Sequence, residues 1–327
     1  MRLLDRPDLD VVAWHSETQP CDRKWLFDNI PGATGILLLF SEKVDNEFLD
    51  AAGPSLKVIS TMSVGYVALS ARNQAWFTPD VLTEAVADIT VMLALMAGRN
   101  IKETSEIVQK GQWSAYPWAP YLWAGSQLSA SWVHPARTAG FLGFGRIAQS
   151  TLARLLPFGY TRALYTGNPT SQPNPARDAE LLAKYAPHGL AEFRRVDLAE
   201  LARESDVVFV LAPGGPSTYH VVNEAFLKGM KKTAVLVNTS RGVLVDSEAL
   251  AKACREGWIW GAGVDVVEGE PNVPADHPLL REPRCVVLPH IGSATNETRL
   301  GMATMAINNV IGGALGGNMP AELNMSR

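Results

Sequence analysis

Apolar and polar positions recur along this chain with two periods. Three short apolar runs of strand length, LDVVAW (9–14), TGILLLF (34–40) and LKVIS (56–60), are separated by KWLFDNI and NEFLDAAG, whose apolar residues follow helical spacing. This strand–helix–strand rhythm predicts a parallel sheet. From Thr83 the stretch TEAVADITVMLALMAGRNIKE (83–103) keeps an apolar face for about five turns and predicts one long buried helix. After an aromatic loop, WSAYPWAPYLWAG, the rhythm returns in TAGFLGFG, RALYT, SDVVFVLA, TAVLVN, IWGAGVDVV and CVVLPH. Six strands in that order suit a doubly wound sheet. A last helical stretch, NETRLGMATMAINNVIGGAL, is expected to return and pack on the first domain.

The chemistry begins where the second set of strands begins. TAGFLGFGRIAQSTLARLL places Gly143, Phe144, Gly145, Arg146, Ile147 and Ala148 directly after a strand and before a helix, the context that a dinucleotide fingerprint requires. Gly143 permits the tight turn, Gly145 lets a pyrophosphate approach the backbone, and Ala148 allows close helix–strand packing. The helix N-terminus then offers free N–H groups and a positive dipole end. Where an NAD-binding fold presents an acid to the ribose 2′-hydroxyl, this chain reads Thr166, Gly167, Asn168. A carboxylate there would repel a 2′-phosphate. Its absence favours NADP(H) and leaves NAD(H) possible, although no arginine stands immediately beside these residues.

Composition narrows the class of protein. At 327 residues the chain is long enough for two domains, placed at 1–84 with 294–327 and at 85–293. With 47% hydrophobic and 19% charged residues it reads as soluble and globular, and a net charge of −4 leaves no electrostatic footprint for nucleic acid. Cys21, Cys254 and Cys285 are scattered and odd in number, which points to neither a disulfide framework nor a metal site. MRLLDRPDLD lacks the apolar core of a secretory signal and ITVMLALMAG is too short to span a bilayer, so a cytoplasmic protein is expected.

Three strand ends in the second domain carry polar groups: Arg241 in VNTSRGVLVD, Asp265 and Glu270 in GVDVVEGEP, and His290 in VVLPHIGSAT. In an open parallel sheet the carboxyl ends of strands line the ligand crevice, so the four can converge. Each has a structural alternative: a surface cation for Arg241, a cap for Asp265, a solvated loop acid for Glu270, a satisfied core imidazole for His290. All four alternatives would have to hold together beside a nucleotide fingerprint.

With these motifs on view, the chain resembles the D-isomer-specific 2-hydroxyacid dehydrogenases, most nearly the glyoxylate/hydroxypyruvate reductases, in LKVISTMSVG, TPDVLTEAVAD, GFLGFGRIAQ, NTSRGVLVD, GVDVVEGEP and LPHIGSAT. The resemblance implies a smaller, flavodoxin-like substrate domain beside the Rossmann domain, and NAD(P)H-dependent reduction of a small 2-keto acid. His290 is then the general acid, Glu270 its orienting carboxylate, and Arg241 the grip on the substrate carboxylate. Backbone N–H groups of Ser63, Val64 and Gly65 would hold that carboxylate from the other domain. Ala212, Pro213, Thr239, Asp265 and Gly292 would join the glycine loop in contacting cofactor. The helix from Thr83 and the aromatic loop after it resemble a homodimer interface, with Trp118 or Trp123 as candidates to cap a neighbour's site. In two places the chain departs from the pattern: it opens after the usual first strand, and only YVALSARNQAWF separates Gly65 from Thr78, so the substrate domain reads as truncated. Two alternatives accompany this reading: a corepressor-like or otherwise non-catalytic nucleotide-binding protein, and an inactive paralogue.

Overall fold

The computed structural model describes residues 6–16, 18–39, 42–62, 75–76, 80–116, 118–168 and 170–319. The chain divides into two compact units, Met1–Leu82 with Thr295–Arg327, and Thr83–Ala294.

In the first unit a parallel sheet has the order β1-β2-β3, with β1 Gly35–Leu38, β2 Val58–Thr61 and the two-residue β3 Ala75–Trp76. Helices Arg23–Asn29 and Asn46–Ala52 bury Leu26, Phe48 and Leu49 against Ile36, Leu38 and Ile59. Their starts are fixed by Asp22 and Asp45, whose carboxylates accept backbone N–H bonds from Trp25 and Phe48; such a cap contributes about 1 kcal/mol. The C-terminal helix Asn296–Leu315 returns to this sheet, as its apolar face led one to expect, and Val310 packs on Val58. LDVVAW, by contrast, forms no strand. Val12 is 60% exposed, and the segment is held instead by Trp14, whose indole lies edge-on to Trp25 and donates to the Gln19 carbonyl. An apolar run becomes a strand only where a sheet edge receives it.

The second unit carries seven parallel strands: β4 Arg137–Leu142, β5 Tyr160–Thr166, β6 Glu192–Arg195, β7 Val207–Val210, β8 Val235–Asn238, β9 Gly261–Val264 and β10 Cys285–Val287. Their spatial order is β10-β9-β8-β7-β4-β5-β6. The chain starts in the middle, winds out one way through β5 and β6, then returns to β7 and winds out the other way. The doubly wound expectation therefore holds, with the topological switch point between β4 and β7. Six strands were expected. The seventh, EFRR, is short and charged, the composition of a protected edge strand with no apolar run to reveal it.

The stretch 83–103 is not one helix. Thr83–Gly98 ends at Arg99–Asn100, where Asn100 takes φ 52°, and a second helix runs Ile101–Gln109. Asparagine is among the few residues that adopt this left-handed conformation readily and, with Gly98 two residues before it, carried the local signal for the break. The first of the two helices buries Leu93 and Ala94 completely against β8 and β9. Truncating a leucine in such a place costs about 2–5 kcal/mol.

Candidate active site

Loops at the switch point define one half of the site. The turn after β4 holds Gly143 at φ 87°, and a Cβ there would lie 2.7 Å from the Cα of Ala212, on the loop after β7. Glycine is required both for the conformation and for the approach. Gly145 then caps helix Arg146–Leu155 without any side-chain hydrogen bond. Nothing lies within 4 Å of where a Cβ of Gly145 would stand. A cavity of about 290 Å³ opens here, lined by Gly143, Phe144, Gly145, Gly167, Asn168 and Pro213, among others. An uncapped helix N-terminus behind an open glycine fits a nucleotide pyrophosphate.

The lining of this cavity includes two cations that sequence reasoning missed. Arg195, the last residue of β6, donates from Nη2 to the Asn168 carbonyl at 2.8 Å and from Nη1 to that of Ser171 at 2.9 Å. Arg177, in helix Pro175–Tyr185, donates to the Phe144 carbonyl at 2.8 Å. Both line the cavity beside Asn168. No arginine stands immediately beside Thr166, Gly167 and Asn168 in sequence, but Arg195, 27 residues beyond Asn168, is brought in by strand pairing of β5 with β6. The neighbouring Asp178 carboxylate accepts from the Tyr165 hydroxyl at 2.6 Å, and burial together with that bond pushes the phenol up to about 12.

The other half lies at the carboxyl ends of β8, β9 and β10, three adjacent strands. His290 Nδ1 stands 2.9 Å from Glu270 Oε1, an ion pair when the ring is protonated. Glu270 accepts the Val267 N–H on its other oxygen at 3.3 Å. His290 has φ 54°, a strained conformation for a residue with a side chain. The strain is held by Asp265, which is 2% exposed. Its carbonyl accepts the His290 N–H at 2.8 Å, and its two carboxylate oxygens accept those of Ile291 and Gly292 at 2.8 and 2.7 Å. Burial raises the Asp265 pKa, an effect the two N–H bonds partly offset. The Asp265 carboxylate is thus turned to the His290 loop.

Arg241 sits three residues beyond β8. Asn238 fixes its backbone by donating to the Arg241 carbonyl at 2.9 Å, and Arg241 Nη1 donates to the Ser240 carbonyl at 2.6 Å. Ser240 donates in turn to the carbonyl of Ala212. Thr239 shares a 2.8 Å hydroxyl contact with Thr90, which pins helix Thr83–Gly98 to the end of β8. The structure therefore gathers His290, Glu270 and Asp265 directly, links Arg241 through Ser240 to Ala212, and ties Thr239 to helix Thr83–Gly98. Ser63, Val64 and Gly65, and the short segment after them, lie outside the described residues.

A doubly wound sheet with a glycine turn at its switch point and a histidine–glutamate pair on the neighbouring strand ends defines a nicotinamide-dependent dehydrogenase. Residues 91–292 match the family model of the D-isomer specific 2-hydroxyacid dehydrogenase NAD binding domain, and the chain belongs to that family. It is 41% identical over 329 aligned residues to a glyoxylate reductase/hydroxypyruvate reductase of Mus musculus, spanning 99% of this chain and 93% of that one. Among solved structures it is similar to a protein of Thermus thermophilus, with TM-score 0.78 and 35% identity over 93% of this chain and 90% of that one. It is similar also to an NADPH-dependent glyoxylate/hydroxypyruvate reductase of Sinorhizobium meliloti in complex with NADP and malonate, with TM-score 0.70 and 30% identity over 89% and 83% of the two chains. Among the described residues no helix is long and apolar enough to cross a membrane, and no cluster of His, Cys, Asp and Glu side chains is arranged to hold a metal ion.

Proposed function

We propose that this protein reduces glyoxylate or hydroxypyruvate to the corresponding 2-hydroxy acid, with NADP(H) preferred over NAD(H). The observation that carries the reading is the 2.9 Å pair of His290 and Glu270 after β10 and β9, at the same carboxyl edge of the parallel sheet as the glycine turn after β4. A reduced nicotinamide, when bound, supplies the hydride. The remaining chemistry is the protein's own. Glu270 accepts from Nδ1–H, which fixes the ring, so Nε2 is the nitrogen that gives a proton to the carbonyl oxygen as the carbon is reduced. Arg241 offers a planar fork suited to a 2-keto acid's carboxylate, a geometry that lysine lacks. Asp265 is given a positioning role: it holds three consecutive N–H groups and so keeps His290 in its strained turn.

The cofactor preference is supported by the missing carboxylate at Thr166 to Asn168 and by Arg195 bonded at Asn168, with Arg177 also in the cavity lining, a charge pattern suited to a 2′-phosphate. The names of the mouse and Sinorhizobium relatives support the choice of substrates. A homodimer is supported by an apolar hollow of about 460 Å³ on helix Thr83–Gly98, lined by Val91, Met92, Leu95, Met96 and Phe158 with Asp88 and Arg154. Nearby in sequence, Trp113, Trp118 and Tyr121 are exposed. Mixing the purified protein with NADPH or NADH and either keto acid, and following nicotinamide absorbance, tests the reading. Steady consumption of NADPH, slower with NADH, is expected. Cofactor binding without consumption would point to the corepressor-like alternative.

A further inference from the structure

A second histidine–glutamate pair lies beside the first. His220 Nε2 is 2.8 Å from Glu268 Oε2, and the Tyr219 hydroxyl donates to Glu268 Oε1 at 3.2 Å. The Tyr219 and His220 rings stack with centroids 3.9 Å apart. Glu268 and Glu270 are two residues apart in one turn, so a single segment sends one carboxylate to His290 and the other to His220.

The contacts form a closed ring. His220 sits at φ 47° and its N–H donates to the Val243 carbonyl at 2.9 Å. Gly242 lies so flat on the Val267–Glu268 peptide that a Cβ there would fall 2.0 Å from the Val267 carbonyl carbon. Glu268 then returns from that peptide to His220. The ring therefore joins three segments: the loop after β7 that carries Ala212 and Pro213, the turn that carries Arg241, and the turn that carries Glu270. Within the last of these the two bonds that tie Val267 to Glu270 are long, 3.4 Å from Glu270 N–H to the Val267 carbonyl and 3.3 Å from Val267 N–H to Glu270 Oε2. Bonds of that length hold a turn weakly, so the side-chain anchor at Glu268 matters to where Glu270 stands.

We propose that the His220–Glu268 pair, with Tyr219, is a positioning device for the candidate active site: it sets the spacing between the Arg241 turn and the Glu270 turn and touches neither substrate nor cofactor. The proposal rests on the assignment of keto-acid reduction to His290, Glu270 and Arg241. Displacing a reacting group by about 1 Å can cost roughly 100-fold in rate. Glu268→Ala is accordingly expected to lower kcat for glyoxylate reduction by about 10- to 100-fold and to raise the keto-acid KM. NADPH affinity, read by fluorescence, and thermal midpoint are expected to stay near wild type. Glu268→Gln keeps one acceptor oxygen and presents its amide N–H to the other partner, whose ring nitrogen or hydroxyl oxygen can accept, and is expected to restore most of kcat. Undiminished kcat in Glu268→Ala overturns the proposal. So does an activity loss accounted for by the unfolded fraction, with kcat per folded molecule unchanged, because that is a purely structural role. If wild type itself consumes no NADPH with any keto acid, it is the assignment of the reaction that fails instead.

Discussion

Arg195→Ser isolates the cofactor preference from the chemistry. Arg195 is half-buried at the end of β6 and spends one N–H on each of the Asn168 and Ser171 carbonyls, which leaves a guanidinium with further donors at the mouth of the cavity. A hydrogen bond to a charged group contributes about 1.5–3 kcal/mol, and each 1.4 kcal/mol is about tenfold, so loss of one arginine–phosphate contact is expected to raise the NADPH KM about 10- to 150-fold. NADH has no phosphate to lose. Its KM is expected to move by about a factor of two at most, the size of an ordinary half-exposed substitution. The assay is steady-state kinetics at saturating glyoxylate with each cofactor in turn, at fixed ionic strength because a half-exposed charge is screened by salt. If both cofactors weaken equally, Arg195 merely braces the loop 168–171, and if neither weakens, the phosphate reading of this cavity is wrong.

Three further outcomes are expected. Gly143→Ala must place a methyl against Ala212 at positive φ, at a cost of about 1–3 kcal/mol, and NADPH affinity measured by fluorescence titration should fall at least about tenfold. Asp265→Asn removes a carboxylate whose pKa is raised in the folded state by burial. The folded chain then holds that proton to higher pH than the unfolded chain does, so this group's contribution to stability is present below the ordinary carboxylate value and is lost as pH rises through the raised one. The wild-type advantage over Asp265→Asn in thermal midpoint should therefore shrink as pH rises through that window, and an advantage that grows would contradict the assignment. Leu95→Asp puts a charge in the apolar hollow of helix Thr83–Gly98 and should convert a dimer to monomer in sedimentation; a wild type that is already monomeric would remove the dimer proposal.

The placement of His290, Glu270 and Arg241 at strand ends was legible because strand-end chemistry is local. His290, Glu270 and Arg241 each follow an apolar run within a few residues, and the topology of a doubly wound sheet brings such ends to one edge. The glycine turn was legible for the same reason. What escaped notice depended on pairing across the sheet. Arg195 lies on a charged edge strand that leaves no hydrophobic trace, and only its alignment with β5 carries it to Asn168. The His220–Glu268 pair joins loops 48 residues apart. The break at Asn100 and the missing strand at 9–14 have the opposite cause: apolar periodicity continued where the backbone, turned by one left-handed residue or left without a partner strand, did not.

The central claim is that His290, steadied by Glu270, gives the proton to a keto acid's carbonyl oxygen. His290→Asn tests it most directly, since asparagine tolerates the positive φ found there. A general acid contributes about 100- to 10,000-fold, so kcat for glyoxylate reduction with NADPH is expected to fall at least about 100-fold while NADPH affinity holds. Turnover within about threefold of wild type, or a loss of cofactor binding equal to the loss of turnover, would contradict that claim.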